Sequence, residues 1–346
     1  MTLFTPIPVE PIQRVDLHKT QFSVCWMEED GSNKFERYPM NGEGLSRFRE
    51  KLDGECEVGV EATGNSKYFY DEIVGTVKKV RVINPLQFKI ISESVKKNDR
   101  EDSRVIAEFL SKGLLPEVRV MDKGRREIKS LIQTRDKLVK LRSSLKNKIH
   151  GILLEHGIQS KREMFSSQKG LKKVLDMPVS ETSRFELEVI VKQINSLNEG
   201  IKELEGKIKD KGKKLKGQKN LQSITGIGEL SSTIILSTIG DIGDFENKKK
   251  LAAYAGLVPR VHESNGKYKN GRITKRGDKI FRTTLVQVAL IAIRYNRYLR
   301  GFYERLKVKK GSGKAIIATT RKMLDIIYDT LKNDWEFKDF NNFVLV

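Results

Sequence analysis

The chain is 346 residues long, 38% of its residues are hydrophobic, and its formal net charge at pH 7 is +21. This length allows two domains with cores of their own, and the charge predicts a polyanionic partner, most simply nucleic acid, with an anionic membrane surface as the competitor. No apolar run of 18 residues and no secretion signal are visible, so we predict a cytoplasmic protein without membrane association. The two cysteines and four scattered histidines show no metal-ligand spacing.

Hydrophobic patterning predicts an α/β domain over residues 10–122. Three strands come first and are followed by alternating helices and strands, which indicates a mixed sheet with flanking helices. The predicted strands are 12–17, 21–28, 35–38, 56–61 and 79–83, with a short extended segment at 117–120. The predicted helices are 43–52, 66–77, 86–93 and 101–112.

Four acidic residues of this domain stand where their side chains can converge. Asp16 lies near the end of the first strand and Glu61 ends a later one, and ligands collect at such carboxyl ends. Asp99 and Asp102 are three residues apart, so a helix there puts both on one face. Each acid alone can be a turn or cap residue. Together they can hold two Mg²⁺ ions that assist reaction at a phosphodiester.

Residues 123–220 are predicted to form a helical coiled-coil region that links the domains or mediates oligomerisation. Of two predicted helices, 125–155 carries apolar residues at seven-residue spacing, and 184–210 carries them at alternating steps of three and four. They can pair as an antiparallel hairpin or between subunits. The basic run 211–219 that follows is expected to be a solvated linker.

A mainly α-helical domain is predicted over residues 221–346. It opens with a helix, a turn at Gly226-Ile-Gly228 and a second helix. This order resembles a helix-hairpin-helix, which holds a DNA phosphate, although an ordinary glycine turn explains it equally well. Helices over 278–298 and 314–332, joined by a basic, glycine-containing link over 307–314, are expected to close the domain.

A polar, basic and glycine-rich stretch over residues 260–277 interrupts this domain and is expected to be a loop. Its cations could clamp a phosphate backbone: Arg260, Lys267, Lys269, Arg272, Lys275 and Arg276. Ser264 precedes the turn dipeptide Asn265-Gly266, which would leave its hydroxyl prominent. A serine surrounded by cations can attack phosphorus once it is deprotonated, but most loop serines have no such role.

At these residues the sequence resembles the DEDD transposases of bacterial insertion sequences, the IS110 family, which are related to the Piv and MooV DNA invertases. The resemblance covers nearly the whole chain. In the first half it rests on Val15-Asp16 with Lys19, Val60-Glu61-Ala-Thr-Gly64, Ile83-Asn-Pro85 and Asn98-Asp99-Arg100-Glu101-Asp102. In the second half it rests on Ile224-Thr-Gly-Ile-Gly228, Ala252-Ala-Tyr-Ala-Gly-Leu-Val-Pro-Arg260, Glu263-Ser264 and Gly271-Arg-Ile-Thr-Lys-Arg-Gly277. Arg14 departs from the family pattern, which often has glycine there.

The resemblance implies a RuvC-like, RNase H-type first domain whose metal-binding and catalytic tetrad is Asp16, Glu61, Asp99 and Asp102. It also implies that Ser264 is the nucleophile of the C-terminal transposase domain. The expected function is an RNA-guided DNA recombinase that uses Mg²⁺, for which Mn²⁺ can substitute. The expected partners are donor and target DNA, a structured noncoding bridge RNA, and further copies of the chain. The copies are expected to form a dimer that assembles to a tetramer, and the protein is expected to act at the bacterial nucleoid.

Two other functions remain open from the sequence. One is a Holliday-junction-type, metal-dependent endonuclease that forms no covalent intermediate with DNA. The other is a non-catalytic multimer that binds RNA and DNA. The intact set of four acids disfavours the second of these.

Overall fold

The computed structural model describes residues 12–27, 33–84, 118–264 and 267–338. The chain divides into two compact units, Met1–Val120 and Met121–Val346. The predicted helices 86–93 and 101–112, and with them Asp99 and Asp102, lie outside the described residues. None of the helices in the described ranges combines the length and apolar character needed to span a membrane.

The first unit contains a mixed five-stranded sheet in the order β3-β2-β1-β4-β5. β1 pairs antiparallel with β2 and parallel with β4, and β4 pairs parallel with β5. The strands are β1 Ile12–Leu17, β2 Gln21–Met27, β3 Asn33–Pro39, β4 Glu57–Glu61 and β5 Lys79–Ile83. The described helices of this unit are α1 Gly42–Arg49 and α2 Ser66–Ile73. This arrangement confirms the mixed α/β sheet that the sequence predicts.

One face of this sheet carries the core of the unit, because successive strand residues alternate between the two faces. Val15 and Val60 are fully buried there. Phe22 of β2 packs edge-on against Phe48 of α1 and Phe69 of α2, with ring centroids 5.4 and 5.3 Å away. Both helices therefore cover the same face of the sheet. The residues that alternate with these valines along β1 and β4 project from the other face.

Two long antiparallel helices begin the second unit. α3 spans Lys123–Glu155 and α5 spans Glu181–Gly212, and α4 (Gln168–Leu175) lies between them in sequence. Arg135 of α3 pairs with Glu205 of α5, and Arg142 of α3 donates to Asn198 of α5 at 2.8 Å. The two helices are antiparallel because the later residue of α3 contacts the earlier residue of α5. The predicted helical pair thus forms within one chain. Buried apolar residues of both helices form the seam that holds it, among them Ile128 and Ile132 of α3 and Ile201 and Ile208 of α5.

The remainder of the second unit is helical around one core, with a small two-stranded sheet. Its helices are α6 Gln218–Gln222, α7 Glu229–Ile239, α8 Lys248–Tyr254, α9 Lys279–Tyr295, α10 Arg297–Lys310 and α11 Ser312–Lys332. Its strands are β6 Pro259–Ser264 and β7 Lys267–Ile273, which pair antiparallel.

Three sequence predictions for this unit are wrong. The expected single helix 278–298 is broken at Asn296, which is extended and whose side chain accepts the Leu299 N–H at 3.0 Å, so that α10 begins there. The expected link 307–314 is reduced to Gly311, whose φ of +78° ends α10. Residues 260–277, expected to be a loop, instead form most of the β6–β7 hairpin.

Candidate active site

The first candidate residues lie at the carboxyl edge of the sheet. Asp16 is the fifth of six residues in β1, and Glu61 is the last residue of β4. These strands are parallel, and Val15 is the register partner of Val60. Continuing that register by one residue places Asp16 beside Glu61, at the usual strand spacing of about 4.8 Å. The register therefore puts the two predicted acids that the structure describes on neighbouring strands, one residue beyond the Val15–Val60 pair.

Both carboxylates project from the sheet face opposite α1 and α2. Asp16 and Glu61 alternate with the buried valines before them and are themselves half-buried. Like charges about 5 Å apart repel each other by about 1–3 kcal/mol, depending on how much water screens them. A divalent cation with oxygen ligands between them removes that repulsion. The edge is therefore suited to a hard metal ion.

The loops after β1 and β4 fix this edge. His18 Nε2 lies 3.2 Å from Asp16 Oδ2. The His18 carbonyl accepts a hydrogen bond of 2.8 Å from Asn65 Nδ2, and the Thr63 hydroxyl donates to Asn65 Oδ1 at 2.9 Å. Neither His18 nor Asn65 was predicted from the sequence to belong to the site. The signal that could have found His18 is its position two residues after Asp16, because residues at that spacing project from the same side of an extended chain.

A second glutamate of β4 has a structural role. Glu57 stands four residues before Glu61 on the same sheet face, but its Oε2 lies 2.7 Å from Arg81 Nε. The Glu57 and Arg81 side chains are only 11% and 20% exposed. A carboxylate that is buried and paired in this way stabilises the sheet and is not offered to a ligand.

Half of the predicted tetrad can be located. Within the described ranges no group of three or more His, Cys, Asp or Glu side chains is close enough to hold a metal ion. Asp99 and Asp102, the other two predicted ligands, fall in the range 85–117, outside those residues. The described part of the predicted site therefore consists of Asp16 and Glu61, with His18 in contact with Asp16.

Ser264 is the last residue of β6 and is the register partner of Lys267, the first residue of β7. The sequence between them is Asn-Gly, which is the strongest short-range signal for a hairpin. Ser264 therefore stands at the far end of the hairpin from the helices on which the hairpin is built.

The base of the hairpin is held by close backbone contacts. Gly256 has a φ of +69°, and a Cβ there would lie 2.0 Å from the Arg276 carbonyl oxygen. Lys275 N–H donates to the Gly256 carbonyl at 3.2 Å, and Lys275 itself has a φ of +55°. Arg282 of α9 donates to the carbonyls of Ala255 and Arg276, at 3.3 and 3.4 Å. These contacts set the direction in which the hairpin leaves the helices.

The predicted cations lie on or just after this hairpin. Those whose side chains the structure describes are all exposed, namely Arg260, Arg272, Lys275 and Arg276. Lys267 and Lys269 belong to β7, where Lys269 is the register partner of His262. A two-stranded ribbon with exposed cations has the size and charge to lie against a nucleic-acid backbone.

Two family models match the chain. Residues 15–158 match a DEDD transposase model of IS110 elements, and residues 218–304 match the model described as Transposase IS116/IS110/IS902 family. The chain belongs to the IS110 family of transposases. It is therefore an enzyme of the DNA transposase and recombinase class. The first match contains all four predicted acids, and the second contains Ser264 and the basic hairpin.

Named relatives of this IS110-family transposase agree with that membership. The transposase for insertion sequence element IS1111A of Coxiella burnetii is 29% identical over 328 residues, which are 92% of the chain and 88% of that protein. A probable family 20 transposase of Pseudomonas aeruginosa is 29% identical over 268 residues, 72% of the chain and 77% of that protein. The pilin gene-inverting protein of Moraxella lacunata is 36% identical over 121 residues, 34% of the chain and 37% of that protein.

Proposed function

We propose that this transposase is an RNA-guided DNA recombinase that joins donor and target DNA through Mg²⁺-assisted attack of Ser264 on a phosphodiester. The observation that carries the proposal is the parallel pairing of β1 with β4 in the register Val15 to Val60, because Asp16 and Glu61 are the residues that follow these two valines. The four acids follow the order Asp, Glu, Asp, Asp, which are the letters in the name of the matching model. The sheet order supports the RNase H-type, RuvC-like fold that the resemblance implies.

The donor set fits a hard divalent cation, because Asp16, Glu61, Asp99 and Asp102 supply only carboxylate oxygens. We propose that these four acids hold Mg²⁺, with Mn²⁺ as a substitute. Such an ion, when bound, activates an attacking oxygen and stabilises a leaving oxygen at phosphorus. His18, in contact with Asp16, orients that carboxylate.

In the proposed reaction, Ser264 Oγ forms a bond to phosphorus while the bond from phosphorus to a deoxyribose oxygen breaks. The serine hydroxyl gives up its proton, and the leaving oxygen takes one up. The phosphoserine ester keeps the energy of the broken bond, so a hydroxyl of a second DNA end can displace the serine and complete the exchange. Arg272, Lys275 and Arg276 stabilise negative charge on the phosphate during each step.

We also propose that a structured noncoding RNA selects the DNA and that copies of the chain share active sites. The net charge of +21 supports binding of more than one nucleic acid. The long α3–α5 pair, whose apolar seam is buried within one chain, is the proposed region through which its outer surface joins subunits. In such an assembly, Asp16 of one copy and Ser264 of another act at the same phosphodiester.

The first experiment detects the covalent intermediate. The protein, its RNA transcribed from the flanks of the element and labelled DNA carrying the element end are mixed with Mg²⁺, then resolved under denaturing conditions. Wild type and the control Glu55→Gln, an exposed acid before β4, should give a protein–DNA adduct. Ser264→Ala and Asp16→Asn should give none, whereas the control Ser166→Ala should keep it.

Other outcomes identify the competing functions. Full DNA cleavage by Ser264→Ala without an adduct would indicate an endonuclease that uses water. Binding with no cleavage by the wild type would indicate a non-catalytic multimer. Equal recombination after the RNA is digested and not replaced would contradict RNA guidance.

The second experiment tests for shared sites by mixing Asp16→Asn with Ser264→Ala. In a random dimer population half the molecules are mixed, and a shared site leaves one of their two sites intact. Adduct formation should then return to about a quarter of the wild-type level. If each chain builds its own site, the mixture stays inactive.

A further inference from the structure

A cavity of about 320 Å³ lies in the second unit, outside the hairpin that carries Ser264. Its floor is one stripe of α11, and its walls come from α8, α10 and the segment after α11. This volume is at the lower end of the range for small-molecule sites and suits a single planar ring system with its substituents.

The segment that forms one wall is held in place by α6 and α11. Asn220 Nδ2 donates to the Trp335 carbonyl at 2.8 Å, and Ser223 Oγ accepts the Phe337 N–H at 2.7 Å. The Trp335 N–H donates to the Thr330 carbonyl at 3.0 Å. Although its backbone is fixed on both sides, the Trp335 ring is 57% exposed. An aromatic ring held in this way beside a cavity is suited to stacking.

Cations and a second aromatic ring complete the walls. Lys322 Nζ lies 6.0 Å from the centroid of the Tyr298 ring, and both residues line the cavity. Lys248 Nζ is 2.6 Å from Asp329 Oδ2, so each of these two charges is balanced by the other. Lys322 therefore adds positive charge to the wall, where it also acts on the nearby Asp325 carboxylate.

Asp325 is a carboxylate on the floor of this cavity. It is half-buried, and no described residue donates a hydrogen bond to it. Burial raises the pKa of Asp325 above its ordinary value, although Lys248, Arg321 and Lys322 oppose that rise. A half-buried carboxylate without a donor favours a ligand that brings N–H groups.

We infer that this cavity binds one unpaired guanine nucleotide, with the base stacked on Trp335 and its Watson–Crick edge on Asp325. Guanine presents two neighbouring donors on that edge, N1–H and N2–H, which match the two oxygens of a carboxylate. Single-stranded nucleic acid is recognised by this combination of stacking on aromatic rings and hydrogen bonds to splayed bases. The inference depends on a nucleic-acid substrate and not on Ser264 or the four acids.

The experiment uses single-stranded 11-mers of thymidine with guanosine, inosine, adenosine or thymidine at the centre. Affinity is measured by anisotropy of a labelled oligonucleotide at fixed salt, with full-length protein. Stacking is measured as quenching of Trp335 fluorescence in a Trp26→Phe background, because the chain has two tryptophans. Each 11-mer is made as DNA and, with uridine in place of thymidine, as RNA. A preference in only one of the two identifies whether a DNA strand or a guide RNA occupies the cavity.

Guanosine at the centre should increase affinity about tenfold over thymidine and quench Trp335. Inosine, which lacks the N2 amine, should lose most of that gain. Asp325→Asn should abolish the preference for guanosine without weakening general binding. The control is Asp176→Asn, which changes an exposed carboxylate at the end of α4 and should keep the guanosine preference. Trp335→Ala should lose about tenfold in affinity for the guanosine 11-mer, and Trp335→Phe should restore it.

Equal affinity for all four 11-mers in both DNA and RNA would overturn the inference. So would an unchanged guanosine preference in Asp325→Asn. Circular dichroism melting of each variant separates a lost binding contact from a protein that fails to fold.

Discussion

The two glutamates of β4 allow a direct comparison between an acid that stabilises the sheet and one that serves the proposed reaction. Glu57 and Glu61 lie on the same strand and the same face, four residues apart. Glu57 is paired with Arg81, whereas Glu61 neighbours Asp16 at the edge. We predict that Glu57→Met destabilises the first unit and that Glu61→Gln abolishes strand cleavage, with neither variant showing the other's defect.

The magnitude follows from burial. Removing one partner of a buried ion pair costs about 3–5 kcal/mol, and the 20% exposure of Arg81 puts Glu57→Met near 3 kcal/mol. With a typical slope of about 1–3 kcal/mol per molar urea, the unfolding midpoint falls by roughly 1–3 M. Replacing both partners in Glu57→Met/Arg81→Met should recover most of that loss. Glu61→Gln should change stability by less than about 1 kcal/mol, because the residue is half-exposed at an edge.

The assay follows Trp26 fluorescence in urea in a Trp335→Phe background, so that the signal reports the first unit alone. Cleavage is measured in parallel at a temperature where each variant is folded. The reasoning is refuted if Glu61→Gln loses as much stability as Glu57→Met. It is also refuted if folded Glu57→Met protein cannot form the protein–DNA adduct.

Two further predictions concern the second unit. Gly256→Ala should destabilise the second unit by about 2 kcal/mol or more and reduce adduct formation, because the left-handed backbone and the Arg276 carbonyl 2.0 Å away both oppose a methyl group. Gly301 lies in open space within α10, so Gly301→Ala should stabilise the unit by about 0.5–1 kcal/mol. Thermal melting of the two variants distinguishes these outcomes. Burial alone would raise the pKa of Asp278, but hydrogen bonds from Lys129 and from the backbone at Phe281 and Ile280 outweigh it and hold that pKa below its ordinary value. Its contribution to stability should therefore be present at neutral pH and be lost as pH falls below about 4 through the lowered pKa. Asp278→Asn should make the free energy of unfolding depend less on pH in this acidic range. An unchanged pH dependence in that variant would contradict the prediction.

Alternation and heptad spacing made much of the fold predictable. The first strand, residues 12–17, and the fifth, 79–83, were predicted with the bounds that the structure gives. Glu61 could be placed at a carboxyl edge because Val58 and Val60 alternate up to it. The long helices could be predicted because apolar residues recur at seven-residue spacing in the first and at alternating steps of three and four in the second.

The hairpin and α10 could not be predicted from alternation or heptad spacing. The residues of β6 and β7 are mostly polar, so no apolar alternation indicates two strands, and the Asn265-Gly266 dipeptide is the main signal. The break at Asn296 depends on a side chain that caps the next helix, inside a sequence that is otherwise continuously helical in pattern. The contact of His18 with Asp16 depends on a loop conformation, which patterning does not specify.

The central claim is that Asp16 and Glu61 hold a divalent cation together. Calorimetric titration of the full-length protein with Mn²⁺ tests it without reference to activity. The account predicts that Asp16→Asn and Glu61→Gln each weaken Mn²⁺ binding by about tenfold or more, while the exposed-acid control Glu55→Gln binds as the wild type does. Wild-type Mn²⁺ affinity in both edge variants would contradict it.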